Sequence, residues 1–367
     1  MLKRKWSFLL MVIALMSMLA LAACGGSDDD ASSDADADAD ADTETTETED
    51  AASDGEEYEL DFSHFFPPTH FMEEVVQEFI AELDEATDGR IQVTSYPGAS
   101  LAAPDEHFDA AETGSVDFAL SVHGYTPGQF PLTSVMELPF MSEASSQGSN
   151  NLWELYNEFD DFNDEYAGTV PLWLYTTDPG QLYTVGKPVK SLEDLKGMKI
   201  RSPSAETSEW LEALGATPVS MPMNENFEAL ERGVVDGTIA PWEAVLTWGL
   251  YEVIDYVTIG NFYSTTMFVV MNEDLFNSMS EADQQTILDL TTQKMVDRTG
   301  EIFDEYSEEA IAKLEEEGIE MYELSDDELA EWSEFINPTI DNWIEEVSGK
   351  GLPAQEIYDR AVELSGN

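Results

Sequence analysis

Two residues carry side chains whose surroundings suggest a specific chemistry. Arg201 nearly closes the run Ser191-Leu192-Glu193-Asp194-Leu195-Lys196-Gly197-Met198-Lys199-Ile200-Arg201-Ser202-Pro203, in which Met198 to Arg201 reads as a strand. An arginine at a strand end, aimed at a crevice, suits a carboxylate, because its planar guanidinium offers two parallel charge-assisted hydrogen bonds. The chain has only six arginines, and it has 77 acids, so an ion pair with a surface acid stands beside that reading as an equal alternative. Cys24 is the single cysteine. It follows Lys3-Arg4-Lys5, an apolar run from Trp6 to Ala20 and the small residues of Leu21-Ala22-Ala23, and it precedes Gly25. A basic start, a short apolar core and small residues before a cut make an export signal. A cysteine at the cut is where a bacterial lipoprotein is acylated, so the mature chain is expected to begin at Cys24, held by lipid to the outer face of a membrane. The apolar run is marginal for the ~20 residues a membrane span needs. Once Cys24 is acylated no thiol remains for a disulfide or a thiolate metal site.

The other reactive residue types form no recognisable catalytic pattern. His64 and His70 flank Pro67-Pro68, which is not a helical ligand spacing, and His107 and His123 stand apart. There is no G-x-S-x-G, no phosphate-binding glycine loop and no H-E-x-x-H. No pair of carboxylates is singled out as acid and base. The expectation is a protein that is not an enzyme and needs no cofactor or metal.

Charge narrows the partners. Ser27 to Glu57 holds 15 acids and no base, aromatic or β-branched aliphatic residue. Its Asp-Ala alternation cannot bury enough apolar surface to offset the entropy of ordering, so residues 24–57 read as a lipidated, self-repelling tether. Setting aside those acids and the three signal bases leaves 62 acids against 12 bases from Tyr58 onward, a net charge of −50. Such a surface excludes nucleic acid and anionic lipid as partners. It also fits a salty habitat, where screening relieves the repulsion.

The elements that must position Arg201 follow from periodicity. Tyr58 to Ser63 alternates as a strand, and a helix follows with Phe71, Val75, Val76, Phe79, Ile80 and Leu83 on one side. Ile91 to Tyr96 is a strand, Asp105 to Thr113 a helix and Val116 to Ser121 a strand, an order that implies a mostly parallel sheet with helices on its faces. Val170 to Tyr175, Leu182 to Val185, Met198 to Arg201, Thr266 to Met271 and Ile319 to Tyr322 read as further strands, and Asn224 as the cap of a helix ending near Gly233. Ser280 starts a helical pattern that runs to Gly318, interrupted only at Gly300 and roughly 55 Å long at about 1.5 Å per residue. Ser325-Asp326-Asp327-Glu328 is a capping box for a last long helix ending before Gly349.

Several short runs, in order, resemble one family. They are Gly89-Arg90-Ile91-Gln92-Val93, Tyr96-Pro97-Gly98, Gly114-Ser115-Val116-Asp117-Phe118, Glu137-Leu138-Pro139-Phe140, the run from Ser191 to Pro203, Leu214-Gly215-Ala216-Thr217-Pro218-Val219, and Phe227-Glu228-Ala229-Leu230-Glu231-Arg232-Gly233-Val234-Val235-Asp236-Gly237. Together, from Tyr58 to about Leu364, they resemble the DctP-like substrate-binding proteins of TRAP transporters. The resemblance implies an α/β, two-lobed, type II periplasmic-binding-protein fold with long C-terminal helices crossing both lobes. The lobes are then 58–178 with 266–305 and 179–265 with 306–367. It implies capture of a small organic acid outside the cell and delivery to a permease of small and large membrane subunits driven by an ion gradient.

The resemblance places Arg201 on the family's carboxylate-anchoring arginine. A second arginine of some members falls on Gln181, and the asparagine of the family's Asp-Gly-x-x-Asn-Pro falls on Ala240. Losing two polar positions favours a monocarboxylate with a compact, partly apolar body. Further cleft candidates are His64 and Phe65 after the first strand, Met223, Trp242 and Phe262. His123 and Tyr125 join them because they follow the carboxyl end of a parallel strand. A monomer is expected. Two other functions compete: a sensor presenting its ligand to a receptor, and a metal-binding lipoprotein using the acidic tract.

Overall fold

The computed structural model describes residues 55–366. The export signal, Cys24 and the acidic tract up to Asp54 lie outside the described residues. Strands β1 (Tyr58–His64), β2 (Ile91–Tyr96), β3 (Phe118–Val122) and β4 (Thr169–Thr176) open the first sheet. β1 pairs parallel with β2 and with β3. The helix Phe71–Ala86 makes the first crossover and buries Phe71, Met72, Val75, Val76, Phe79 and Leu83, a three- and four-residue spacing that lays one apolar stripe on the sheet. His70 caps it, its Nδ1 accepting the Met72 N–H at 3.1 Å.

The chain crosses through Thr177-Asp178-Pro179 into a second sheet containing β5 (Gly180–Thr184), β6 (Lys199–Ser202), β7 (Thr217–Ser220), β8 (Gly237–Pro241) and β9 (Tyr256–Tyr263). It returns through Ser264-Thr265 to β10 (Thr266–Asn272) in the first sheet, and later adds β11 (Glu320–Glu323) to the second. The strand orders are β2-β1-β3-β10-β4 and β11-β9-β5-β8-β6-β7. β10 runs against the rest of the first sheet and β5 against the rest of the second. Each is the strand entered directly after a crossing. A chain leaving one sheet at the carboxyl ends of its strands, and entering the other within three residues, comes in from the same gap and so runs backwards. The crossings lie side by side: Thr177 N–H donates to Thr265 O at 2.9 Å, and Thr265 N–H donates to Thr177 Oγ1 at 3.1 Å.

The C-terminal helices differ from the sequence reading in one place. The pattern from Ser280 to Gly318 is two helices, Glu281–Leu290 and Gln293–Glu317, and the break is at Thr291-Thr292, not at Gly300. Thr292 takes φ 51° and donates its N–H to Leu172 O of β4 at 2.7 Å, a tertiary bond that replaces the helical one. Gly300 stays helical because it is the contact point with the helix Ser145–Glu158: a Cβ there would lie 2.6 Å from Ser146 Cα. The second helix, 25 residues and about 37 Å long, packs on Ser145–Glu158, on β4 and on Trp242–Thr247, which follows β8, so it touches elements hung from both sheets. Ser325 and Glu328 form the expected capping box of Asp326–Gly349. That helix packs on Ala205–Ala213, and the last helix, Ala354–Ser365, returns to Ser145–Glu158. Asn224 caps nothing: it lies in a 3-10 turn, and the helix begins at Asn226, whose buried Nδ2 donates to Thr238 Oγ1 at 3.0 Å. Among the described residues no helix is long and apolar enough to cross a membrane.

Candidate functional site

β6 lies between β7 and β8 and pairs Arg201 with Val219 and Thr238. Ile200 enters the apolar core of the second lobe with Leu182, Ile239 and Trp210, so strand alternation turns Arg201 to the other face, where it is 1 % exposed. Its Nε donates to Met221 O at 2.9 Å, Nη1 to Ile239 O at 3.2 Å and Nη2 to the Tyr125 hydroxyl at 3.3 Å. A guanidinium has five N–H groups, so one on each Nη is left over, the two prongs of a fork. The other arginines of the described residues all pair with acids: Arg90 with Asp283, Arg232 with Glu228, Arg298 with Glu78, and Arg360 with Glu154, Glu158 and Glu363. Arg201 has none, and among the described residues no carboxylate oxygen lies within 4.0 Å of it.

Tyr125 ends the short turn His123–Tyr125 that follows β3. Its hydroxyl oxygen accepts from Arg201 Nη2 and from Met223 N–H at 2.9 Å, so both lone pairs are engaged and its own hydrogen is free to donate. Burial raises the phenol above its usual range, against the lowering pull of the Arg201 charge, so it stays protonated at neutral pH. Around this polar pair stand Phe65 and Phe66, which follow β1, with Met223 and Trp248. The Phe65 and Trp248 rings are near parallel at 12° with centroids 6.0 Å apart, and Phe65 meets Tyr125 edge-on at 5.7 Å. The two crossings supply Thr177 and Thr265, and the whole forms a narrow cleft between the sheets.

One acid lines this cleft. Glu243, 3 % exposed, sits in the first turn of the helix Trp242–Thr247. Its Oε2 accepts from Thr247 Oγ1 at 2.7 Å and lies 3.4 Å from His70 Nε2. Burial holds the His70 imidazole below its usual pKa, and since Nδ1 accepts a backbone N–H the proton sits on Nε2. Asp178, in the first crossing, accepts the Trp242 N–H at 2.6 Å and so ties that helix to the hinge. Burial, then the nearby Glu243, drives the Asp178 carboxyl well above the ordinary carboxylate range.

Four sequence-derived candidates meet here: Phe65, Tyr125, Arg201 and Met223. The rest lie elsewhere. His64 is the last residue of β1 and faces away, its Nε2 2.7 Å from Glu73 Oε2. Gln181 is fully buried and holds β9: its Oε1 accepts from Gly260 and Asn261 N–H, and its Nε2 donates to Asn261 Oδ1 at 2.6 Å. Phe262 stacks between Trp210 and Trp332 in the second-lobe core, at 5.7 and 5.5 Å. Trp242 gives its backbone N–H to Asp178 and turns its ring edge-on to Tyr183. His123 lies beside a neighbouring crevice, bonded to the Tyr166 hydroxyl at 2.7 Å, with burial pulling its pKa to about 3. The same crevice is bordered by Glu137, pushed to about 7 by burial and by the adjacent Glu206. Phe66, Glu243 and Trp248 were not foreseen. Phe66 is signalled only by its neighbour Phe65, and Glu243 is one acid among 77.

Comparison with known proteins gives the family. The model of the bacterial extracellular solute-binding proteins, family 7 (DctP), matches residues 62–346, and the chain belongs to that family. A marine metagenome TRAP solute-binding protein specific for aromatic acid ligands, solved with metahydroxyphenylacetate, is 29 % identical, with a TM-score of 0.80 over 84 % of this chain and 99 % of that one. A TRAP periplasmic solute-binding protein from Bordetella bronchiseptica with bound (R)- and (S)-mandelate is 30 % identical, with a TM-score of 0.79 over 84 % and 99 %. The C4-dicarboxylate-binding periplasmic protein DctP of Rhodobacter capsulatus is 26 % identical over 308 residues, 80 % of this chain and 89 % of its own.

Proposed function

We propose that this member of the extracytoplasmic solute-binding proteins captures a small monocarboxylate with an aromatic or otherwise apolar body and delivers it to a TRAP permease. The observation that carries the reading is Arg201, buried and free of any carboxylate in a chain with 62 acids beyond its tether. An unpaired buried cation is costly, and a ligand carboxylate on the two spare N–H groups, with the Tyr125 hydroxyl donating beside them, removes that cost. Phe65, Phe66, Met223 and Trp248 supply apolar walls. Gln181 is consumed by β9 and Ala240 has no polar group, so no second cationic contact awaits a second carboxylate, and Glu243 would repel it. The aromatic acids bound by the marine and Bordetella relatives point the same way.

On this reading the lobes 58–178 with 266–305 and 179–265 with 306–367 close about Thr177 and Thr265. Lipid on Cys24 and the tether 24–57 hold the receptor at the outer face of a membrane, where it meets the small and large permease subunits. The surface charge belongs to a halophilic habitat. Thermal shifts of the full chain in molar sodium chloride, with benzoate, mandelate, branched-chain and alicyclic acids, succinate and malate, test the ligand class. A ligand at 100 times its Kd stabilises by about 2.7 kcal/mol. Aromatic monocarboxylates are expected to raise the melting temperature. Tight binding of malate or succinate with no response to apolar acids would overturn the reading. Co-purification with membrane permease subunits, and not with a receptor kinase, tests delivery.

A further inference from the structure

Glu243 is out of place in a cleft for anions. It is 3 % exposed, and no lysine or arginine pairs with it; among the described residues the only basic group within 4.0 Å is the neutral His70 imidazole. Its Oε2 is held by Thr247 Oγ1 at 2.7 Å. Its Oε1 carries no hydrogen bond from the described residues, and the residue lines the cleft. Beside it, His70 Nε2–H is buried and lacks a good acceptor, since 3.4 Å to Glu243 Oε2 is long for a hydrogen bond. The cleft thus holds one carboxylate oxygen without a protein donor as well as the two spare N–H groups of Arg201.

A plain apolar acid would cover Glu243 Oε1, strip its water and leave it unpaired near a second negative charge, which is unfavourable. A group that donates relieves this. An ammonium would have to shed its water between aromatic walls, a cost that can exceed what its pairing with Glu243 returns. A hydroxyl donates without burying a second charge. We infer that Glu243 accepts a hydrogen bond from a hydroxyl on the ligand, so that the natural ligand is a hydroxylated aromatic acid held by its carboxylate on Arg201 and by its hydroxyl on Glu243. This rests on the proposed carboxylate site at Arg201 and adds the second point of recognition. A site that hydrogen-bonds a substrate hydroxyl discriminates strongly against the analogue lacking it, because its own polar groups are then left bare.

The test is a matched ligand series on the full chain in molar sodium chloride, read by isothermal titration: benzoate, 3- and 4-hydroxybenzoate, their methyl ethers, and 3-(aminomethyl)benzoate. One hydroxybenzoate is expected to bind at least about tenfold tighter than benzoate, and its methyl ether, which keeps the oxygen but not the donor, no tighter than benzoate. Glu243→Met should abolish the hydroxyl preference, so that benzoate and the hydroxybenzoates bind alike. Glu243→Gln, which keeps an acceptor oxygen, should retain part of it. Thermal melts report whether the variants fold, and the ligand series on the parent decides the matter even if Glu243→Met does not. Equal affinity for benzoate and both hydroxybenzoates, or a preference that survives Glu243→Met, overturns the inference while leaving the carboxylate site intact. A tenfold preference for the aminomethyl acid overturns the hydroxyl assignment in favour of a cation. Failure of every acid in the series to bind removes the carboxylate site and this inference together.

Discussion

Replacing Arg201 with alanine tests the carboxylate anchor, and the structure sets its size. In the empty cleft the guanidinium makes three hydrogen bonds, to Met221 O, Ile239 O and the Tyr125 hydroxyl, all to neutral acceptors. Two N–H groups remain for ligand, and each charge-assisted bond is worth about 1.5–3 kcal/mol. Truncating one member of a desolvated charge pair costs roughly 2–5 kcal/mol, because the other charge is left bare. Arg201→Ala should therefore weaken an aromatic acid by about 30-fold to several thousand-fold. Arg201→Lys keeps the charge but not the fork, and should recover only part of that loss. The alanine variant also strands the Met221 carbonyl and removes one of two side-chain donors to Ile239 O, so its melting temperature without ligand should fall, and affinity must be measured by isothermal titration below that temperature in molar salt. The control is Arg298→Ala, which removes an exposed pair with Glu78 at 3.2 Å and should leave affinity unchanged. Binding of the Arg201→Ala protein within threefold of the parent would show that the carboxylate is anchored elsewhere.

Three further outcomes are expected. Tyr125→Phe removes an acceptor from Arg201 and from Met223 N–H together with one donor to the ligand, so affinity should drop by roughly tenfold, and in a double-mutant cycle with Arg201→Lys the two losses should not add; additive losses would separate Tyr125 from the anchor. Glu137 is raised by burial to about 7 from the 4.5 of a free carboxyl, so the stability it confers is complete below about 4.5 and is lost as pH rises through 7; melts of Glu137→Gln at pH 5 and pH 8 should show a smaller fall than the parent, by on the order of 5 °C, and equal falls would refute the shift. Gly300→Ala gains helix propensity of about 1 kcal/mol but puts a methyl 2.6 Å from Ser146 Cα, and the net should be a loss of roughly 1–3 kcal/mol in denaturant titration; a more stable variant would mean the helix pair can slide apart freely.

Salt acts on two quantities in the same direction. A net charge of −50 beyond the tether repels an anionic ligand at long range, while Arg201 attracts it only once inside the cleft. Raising ionic strength shortens the screening length from ~30 Å at 0.01 M to ~3 Å at 1 M, so the repulsion fades and the buried contact survives. Association rate in stopped flow and melting temperature should both rise toward molar salt. A rate that falls would mean a locally positive cleft mouth, and an unmoved melting temperature would remove the halophilic reading.

The strands legible in the sequence were β1 to β6, β10 and β11, all within two residues of the expected bounds. β7, β8 and β9 were not foreseen, and each hides for a physical reason. β7 is a half-exposed edge strand carrying Pro218. β8 is Gly-Thr-Ile-Ala-Pro, too small and short to show a period. β9 is interrupted at Gly260-Asn261, where Asn261 takes φ 48° and Gln181 Oε1 gathers both N–H groups. The helix break at Thr292 depends on a bond to β4 some 120 residues earlier, which local propensity cannot report.

The site followed the same logic. Phe65 and Tyr125 sit just past the ends of parallel strands and Arg201 lies within one residue of such an end; all three reached the cleft, as expected where such strand ends face a gap between sheets. Candidates inside strands did not: Gln181 and Phe262 alternate into the protein, and His64, the last residue of β1, points opposite to Phe65. Trp242 shows how narrow the margin is. It was chosen as the residue after a Pro that ends a strand, but a helix begins there, and each residue turns the side chain by about 100°. One step on, Glu243 faces the cleft, and Trp248 joins it where Gly249, at φ 67°, ends the helix. In a chain crowded with acids the informative charge at the second end of the cleft was therefore hidden by abundance, while Arg201 was exposed by scarcity. The acid matters because it is the one carboxylate the fold keeps in a cleft otherwise arranged to receive an anion.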